Sequence, residues 1–114
     1  MTTPADVAVI PRDVHFRTDS ARGTAWLGGD PVATAVFNAL SLTFPDGERL
    51  FIDSVRAFRG PLSGKLADEV RAFIAQEAIH SREHANLNAG LDRSHYPVER
   101  IEALVRRRIA FLRR

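Results

Sequence analysis

The chain lacks cysteine entirely. This excludes disulfides and thiolate metal sites, and it gives no support for an oxidising compartment. Long apolar runs are also absent: no segment approaches the about 20 residues that a membrane-spanning helix needs. Met1 is not followed by the apolar core of a signal peptide. We therefore expect a cytoplasmic protein with no membrane partner.

A strong excess of one charge is missing too. Sixteen basic and 14 acidic residues leave a net charge of +2, with 45% hydrophobic residues among 114. This is the composition of one soluble globular domain. The charge is too small to favour a nucleic-acid partner, and we expect none. The arginines near the end fit a solvated helix face; they are Arg106, Arg107, Arg108, Arg113 and Arg114.

Helical signals dominate from residue 30 onward, and no alternating strand pattern competes with them. Residues 1–29 read as an irregular lead-in, in which Trp26 and Leu27 are expected to fold back onto the body. Proline, glycine and capping residues then divide the chain into predicted helices: residues 31–44, about 46 to the Gly60-Pro61 pair, about 63–88 before Gly90, and 97 onward. Short turns between helices predict an all-α antiparallel bundle of about four helices over residues 30–114.

The third predicted helix carries polar residues where apolar ones are expected. Steps of three and four residues predict a single inward-facing seam: Leu66, Val70, Phe73, Glu77, His80, His84 and Leu87. A buried carboxylate and two imidazoles need partners, and a metal ion would serve all three. A hydrogen-bonded core, or pairing of Glu77 with Arg56 or Arg59, is the structural alternative. Gln76 and Glu83 lie off the seam and are predicted to face solvent.

Glu48 adds a second carboxylate. It precedes Phe51 and Ile52 by three and four residues, which places it on the apolar side of the second helix. A glutamate early in a helix also complements the helix dipole and needs no metal. Beside Glu77 and His80, it becomes a candidate ligand. His15 and His95 are predicted to be surface residues.

Two metal motifs overlap in this region. Glu48 followed by Glu77-x-x-His80 is the ligand order of one half of a ferritin-like di-metal bundle. His80-Ser81-Arg82-Glu83-His84 matches the H-x-x-E-H motif of inverted zinc proteases, in which Glu83 would activate water. The second interpretation needs a third ligand from elsewhere, and no carboxylate after His84 is placed to supply it.

Residues 26–88 resemble a known family. The segments ALSLTFPDGERLFIDSVRAFR and VRAFIAQEAIHSREHANLN contain F-P-x-G-E-R and Q-E-x-x-H-x-x-x-H, and both are similar to the predicted metal-dependent hydrolases. The resemblance implies a ferritin-like helical design with metal ligands Glu48, Glu77 and His80, and His84 as a further candidate. It implies a divalent metal, iron or manganese with zinc as an alternative, that activates water or dioxygen toward a small-molecule substrate.

Members of that family are longer than this sequence. The last predicted helix is amphipathic to residue 114 and offers no second Glu-x-x-His pair. We therefore expect a truncated form, with the site completed by missing C-terminal helices or by a homodimer. The rival hypothesis is a non-catalytic helical module, in which the polar seam is a structural metal clip or a partner interface.

Overall fold

Four helices form the body of the protein. The computed structural model describes residues 7–18, 25–58 and 60–113, and this part of the chain contains no strand. The helices are α1 (Pro31–Ser41), α2 (Phe44–Phe58), α3 (Gly64–Ala89) and α4 (Val98–Leu112). The predicted all-α class is confirmed, whereas the ferritin-like arrangement and the division at residue 30 stay predictions.

The junction between α1 and α2 differs from the prediction. Asp30 caps α1 as expected, with its carboxylate accepting hydrogen bonds from the amides of Val32 and Ala33 at 2.8 and 3.0 Å. However, α1 ends at Ser41 and α2 already begins at Phe44. The predicted break at residues 45–47 is therefore wrong. Proline is tolerated in the first turn of a helix, where its missing N–H would have no partner, so Pro45 starts α2 rather than separating two helices.

The helices pack around α2, which contacts each of the other three. The most extensive contact is between α2 and α3, and their short connection makes them antiparallel. Arg106 lies 3.7 Å from Asp46, and Arg113 lies 2.7 Å from Asp53. Both partners advance by seven residues, so α4 runs in the same direction as α2. A small apolar cluster closes the end where α1, α3 and α4 meet; it comprises Leu42, Leu91 and Val98, with Tyr96 and Ile101 packed against it.

Part of the lead-in folds back as predicted. The indole N–H of Trp26 donates to Asn38 Oδ1 at 3.0 Å, and the Leu27 amide donates to Thr34 Oγ1 at 3.1 Å. Thr34 and Asn38 are buried in α1. These hydrogen bonds give partners to two buried side-chain oxygens, Thr34 Oγ1 and Asn38 Oδ1. Residues 1–6 and 19–24 of the predicted lead-in lie outside the described residues.

Residues 12–16 lie along α3 and are here called the strap. The amide of Arg12 donates to Gln76 Oε1 at 3.1 Å, and the amide of Phe16 donates to Glu83 Oε2 at 3.0 Å. Arg82 donates to Asp13 Oδ1 at 2.7 Å. The prediction that Gln76 and Glu83 face solvent is therefore wrong for Glu83, whereas Gln76 stays partly exposed. The strap uses both side chains to satisfy its backbone donors. Glu83 is only 8% exposed.

The predicted seam is less buried than expected. Leu66, in the first turn of α3, is 54% exposed, and the buried residues of α3 are Glu83 and Asn88. Leu66 lies at the end of the α2–α3 pair, where neighbouring helices cover less of its surface. Among the described residues, no helix has both the length and the apolar character needed to cross a membrane.

Candidate metal centre

The α2–α3 contact brings Glu48, His80 and His84 together. One potential ligand atom from each lies within 4.8 Å of the others. Glu48 Oε1 is 2.8 Å from His80 Nδ1, and the Nε2 atoms of His80 and His84 are 3.0 Å apart. The pair on α3 is one helical turn apart, so both rings lie on the same face. This group of three residues is called the ligand cluster below.

Glu48 is the most unusual member of the ligand cluster. The residue is 2% exposed, and neither carboxylate oxygen accepts a hydrogen bond of standard geometry within the described part of the chain. His80 Nδ1 comes close, but without the geometry of a hydrogen bond. Burial raises the pKa of Glu48 and the charge of Glu77 adds to this shift, whereas the charge of His80 and the nearby Ser81 hydroxyl oppose it. Burying a carboxylate with incomplete hydrogen bonding destabilises the folded protein unless a cation compensates its negative charge.

His84 rests on two buried polar residues that the sequence did not reveal. Ser41 Oγ lies 2.8 Å from His84 Nδ1 and donates to Asn88 Oδ1 at 2.7 Å. Asn88 Nδ2 in turn donates to the Ser41 carbonyl at 3.1 Å. Burial, and then the charge of His80, lower the pKa of His84. The spacing of Asn88, four residues after His84, was a usable signal that both lie on one helix face.

Phe44 forms an aromatic wall beside the two imidazoles. Its ring centroid is 4.4 Å from that of His84 and 5.9 Å from that of His80. Sequence patterning treats this phenylalanine as an ordinary apolar residue, yet it begins α2 one turn before Glu48. The ring restricts the positions available to both imidazoles and keeps water from that side.

Glu77 lies outside the ligand cluster. Half-buried on α3, it is near enough to Glu48 for its negative charge to raise the pKa of that carboxyl. It forms no ion pair with Arg56 or any other described residue, while Arg59 lies outside the described residues. The structure thus joins three of the four predicted ligands and places the fourth nearby.

Glu83 also lies apart from the ligand cluster. Its Oε2 accepts from the Phe16 amide, and its Oε1 accepts from Arg82 Nε at 2.8 Å. The Phe16 hydrogen bond, followed by that from Arg82, lowers the pKa of Glu83. Because both oxygens are occupied, Glu83 is poorly suited to the role of general base that the H-x-x-E-H interpretation requires.

Two cavities include residues of the ligand cluster in their lining. One, of about 290 Å³, lies between the strap and α3 and includes His80, Val14 and Phe16 in its lining. The other, of about 420 Å³, lies between α2 and α4; its lining is mostly apolar and includes Glu48 and Phe44. His80 is about half exposed, so the cavity on the strap side gives a small molecule access to the cluster.

The family described as predicted metal-dependent hydrolase matches residues 10–114. The chain belongs to this family. No curated protein and no solved structure shows a significant match. Membership in the predicted metal-dependent hydrolases implies a divalent metal, and Glu48, His80 and His84 could hold such an ion.

Proposed function

We propose that this chain is a metal-dependent hydrolase whose divalent ion is held by Glu48, His80 and His84. The observation that carries the proposal is the buried Glu48 carboxylate, which has no hydrogen bond of standard geometry to either oxygen and lies 2.8 Å from His80 Nδ1. A cation at this position would compensate the negative charge and separate the two facing Nε2 atoms. The residues therefore fit a metal ion on chemical grounds.

The donor set narrows the choice of metal and reaction. Two histidines and one glutamate are the protein ligands of many catalytic zinc sites, which leave a position open for water or substrate. Two histidines and one carboxylate also hold ferrous iron in non-haem oxygenases. When bound, a divalent ion supplies a Lewis acid that polarises a substrate oxygen and lowers the pKa of water. The family description favours hydrolysis, with manganese, iron or zinc as the ion.

The chain's own residues supply orientation and enclosure. Ser41 contacts one nitrogen of His84 and leaves the other directed at His80. Phe44 packs against both rings, and the strap covers the neighbouring face of α3. A small-molecule substrate would enter the cavity beside His80. Binding there would place its reacting bond next to the ligand cluster.

A di-metal arrangement is the second candidate, and Glu77 favours it. Its charge raises the pKa of Glu48, so the two carboxylates interact, and ferritin-like proteins use glutamates from neighbouring helices to hold two ions. The sequence contains no second Glu-x-x-His pair. The other half of such a site would come from a second copy of the chain or from additional helices.

A non-catalytic role as a structural clip is the rival from another class. The line from Asn88 through Ser41, His84 and His80 to Glu48 is supported by contacts of 2.7–3.0 Å without any ion. Such a network could join α1, α2 and α3 by itself. A structural clip differs from a functional metal site in one measurable way. Substituting one of its residues would unfold the protein, whereas substituting a ligand of a functional site would abolish metal binding and leave the fold intact.

Metal titration of the chelator-treated chain tests these alternatives. We expect one Zn²⁺ or Mn²⁺ per chain, and a loss of affinity above about 100-fold in Glu48→Gln, His80→Gln and His84→Gln, since each removes a ligand. This exceeds the effect of removing a residue that only supports a ligand, which is about 10- to 100-fold. Helix content by circular dichroism should be retained. His95→Gln is the matched control, because His95 is exposed in a turn.

The remaining outcomes separate the candidates. A second ion lost only in Glu77→Gln would support the di-metal arrangement. Collapse of the helices in the cluster variants would support the structural clip. Hydrolysis sustained by redox-inert Zn²⁺ favours the proposal, whereas oxygen consumption with Fe²⁺ favours an oxygenase. Absence of binding by the unmodified chain at millimolar metal would refute the metal site.

A further inference from the structure

Ser41 and Asn88 form a buried pair behind His84, and neither belongs to the ligand cluster. They are 2% and 6% exposed. Ser41 is the last residue of α1, and Asn88 lies one turn after His84 on α3. Two polar side chains buried at a helix contact require a full set of hydrogen bonds. The positions of the protons in these hydrogen bonds determine which nitrogen of the neighbouring His84 imidazole is protonated.

The contact with the Ser41 carbonyl determines the orientation of the Asn88 side-chain amide. Its Nδ2 lies 3.1 Å from the Ser41 carbonyl oxygen. That carbonyl ends a helix, where the last C=O groups have no partner within the helix, so it must accept from outside. Only the NH₂ group of Asn88 can donate to it. The Asn88 Oδ1 atom is therefore the one that faces the Ser41 hydroxyl at 2.7 Å.

The hydroxyl of Ser41 then has a single proton and two neighbours. Asn88 Oδ1 is an acceptor only, so the Ser41 proton must lie between these two oxygens. Toward His84 Nδ1, at 2.8 Å, the same oxygen can only accept. The proton in that contact must come from the imidazole. In neutral His84, Nδ1 is thus protonated and Nε2 carries the lone pair.

We propose that Ser41, oriented by Asn88, is a positioning residue that holds His84 in the Nδ1–H tautomer, so that its Nε2 lone pair faces the ligand cluster. His84 Nε2 is the atom 3.0 Å from His80. A metal-bound histidine needs this unprotonated nitrogen, and ligating imidazoles generally donate their other N–H to a fixed partner. The role at the metal depends on the proposed function, but the tautomer does not.

Nitrogen-15 NMR of the metal-free chain tests the tautomer directly. With ¹⁵N-labelled histidine, two-bond proton–nitrogen correlations distinguish protonated from unprotonated ring nitrogens. We expect protonated Nδ1 and unprotonated Nε2 in His84 of the unmodified chain. We expect Ser41→Thr, which keeps a hydroxyl, to retain this pattern, and Ser41→Ala to lose it. Unprotonated Nδ1 in the unmodified chain would overturn the proposal, whether or not the protein binds metal.

Affinity for Zn²⁺ alone gives the second readout. Ser41→Ala should weaken binding by about 10- to 100-fold, the range seen when the partner of a ligating histidine is removed. Ser41→Thr should restore most of this loss. Ser54→Ala is the matched control, since the exposed Ser54 hydroxyl donates to the Leu50 carbonyl within α2 and has no contact with the ligand cluster among the described residues.

The two readouts also separate this proposal from the proposed function. If neither the unmodified chain nor any variant binds Zn²⁺, the proposed metal site is refuted. The NMR measurement still decides which tautomer His84 adopts. If the chain binds Zn²⁺ and folded Ser41→Ala binds it equally well with the tautomer unchanged, the positioning role is refuted and the metal site stands. Should Ser41→Ala fail to fold, the unmodified chain and Ser41→Thr still decide the tautomer.

Discussion

Two glutamates, one on α2 and one on α3, are both buried, but they differ in their hydrogen-bond partners. Glu83, under the strap, has a donor for each oxygen, and its pKa is lowered. Glu48, on α2, has no hydrogen bond of standard geometry to either oxygen, and its pKa is raised. Both are less than 10% exposed. Burial alone therefore does not mark a binding site; a buried charge whose partner is missing does.

The largest expected effect comes from exchanging each carboxylate for its neutral isostere. Glu48→Gln should weaken Zn²⁺ binding by more than about 100-fold, because it removes a ligand and exceeds the effect of losing only a supporting residue. The same change should leave the metal-free fold intact, since it removes a charge that lacks a hydrogen-bond partner. Calorimetric titration and thermal unfolding of the metal-free chain measure the two effects.

Glu83→Gln should show the reverse pattern. It replaces a charged acceptor of two hydrogen bonds with an amide, so the thermal midpoint should fall while Zn²⁺ affinity stays within about threefold of the unmodified chain, as expected for a residue with no contact to the ion. Equal losses of metal affinity in both variants would show that the two regions are not independent. The assignment of metal binding to Glu48 and of a structural role to Glu83 would then be wrong.

A change in pH should move the two contributions in opposite directions. The pKa of Glu83 is lowered from 4.5, so its stabilisation is fully present above pH 4.5 and is lost as the pH falls through the lowered value. The pKa of Glu48 is raised from 4.5, so the metal-free chain loses stability as the pH rises from 4.5 through the raised value.

Urea unfolding of metal-free variants across pH 3–8 resolves these two windows. The stability difference between the unmodified chain and Glu48→Gln should vary mainly above pH 4.5, and the difference for Glu83→Gln mainly below it. Asp13, whose pKa is also lowered, contributes at the acidic end. A Glu48→Gln difference that stays flat above pH 4.5 would contradict the raised pKa of Glu48.

A smaller effect is expected from loosening the strap. Arg82 holds Asp13 and the Val14 carbonyl at 2.7 and 3.2 Å, and it also bonds Glu83. Arg82→Ala should speed hydrogen exchange of the Phe16 amide by about tenfold, which corresponds to the loss of roughly one net hydrogen bond. Arg49→Ala is the control, because its only ion pair among the described residues is to Asp46 at 3.8 Å. Unchanged exchange in Arg82→Ala would show that the strap is held by other contacts.

Local signals made most of the fold predictable, and non-local contacts account for what was missed. Helical periodicity and the Asp30 cap act within one or two turns, so α1 and α3 could be predicted closely from the sequence. Pro45 was misread because a proline that starts a helix resembles one that breaks it. The strap could not be predicted, since it bonds residues more than 60 positions away.

The candidate site shows the same division. Spacing correctly placed Glu77, His80 and His84 along one side of α3, yet which of them meet Glu48 depends on where α2 crosses, near residues 80–84. Ser41 was missed because a serine at a helix end carries no pattern of its own. Its importance comes from Asn88, 47 residues away.

The smallest expected effect concerns the ion pair between Arg113 and Asp53, which is as short as the strap contact of Arg82, at 2.7 Å. Both side chains are more than 40% exposed, so water and salt screen the interaction. Arg113→Ala should lower the free energy of unfolding by at most about 1 kcal/mol, and this difference should disappear near 1 M salt. Arg107→Ala, which removes an exposed arginine without an ion pair among the described residues, is the matched control for urea unfolding. A loss above about 2 kcal/mol that persists in salt would exceed the range of surface pairs. It would show that an exposed ion pair can contribute as much to the free energy of unfolding as a buried one. The contrast between Glu48 and Glu83, which depends on burial, would then be weaker.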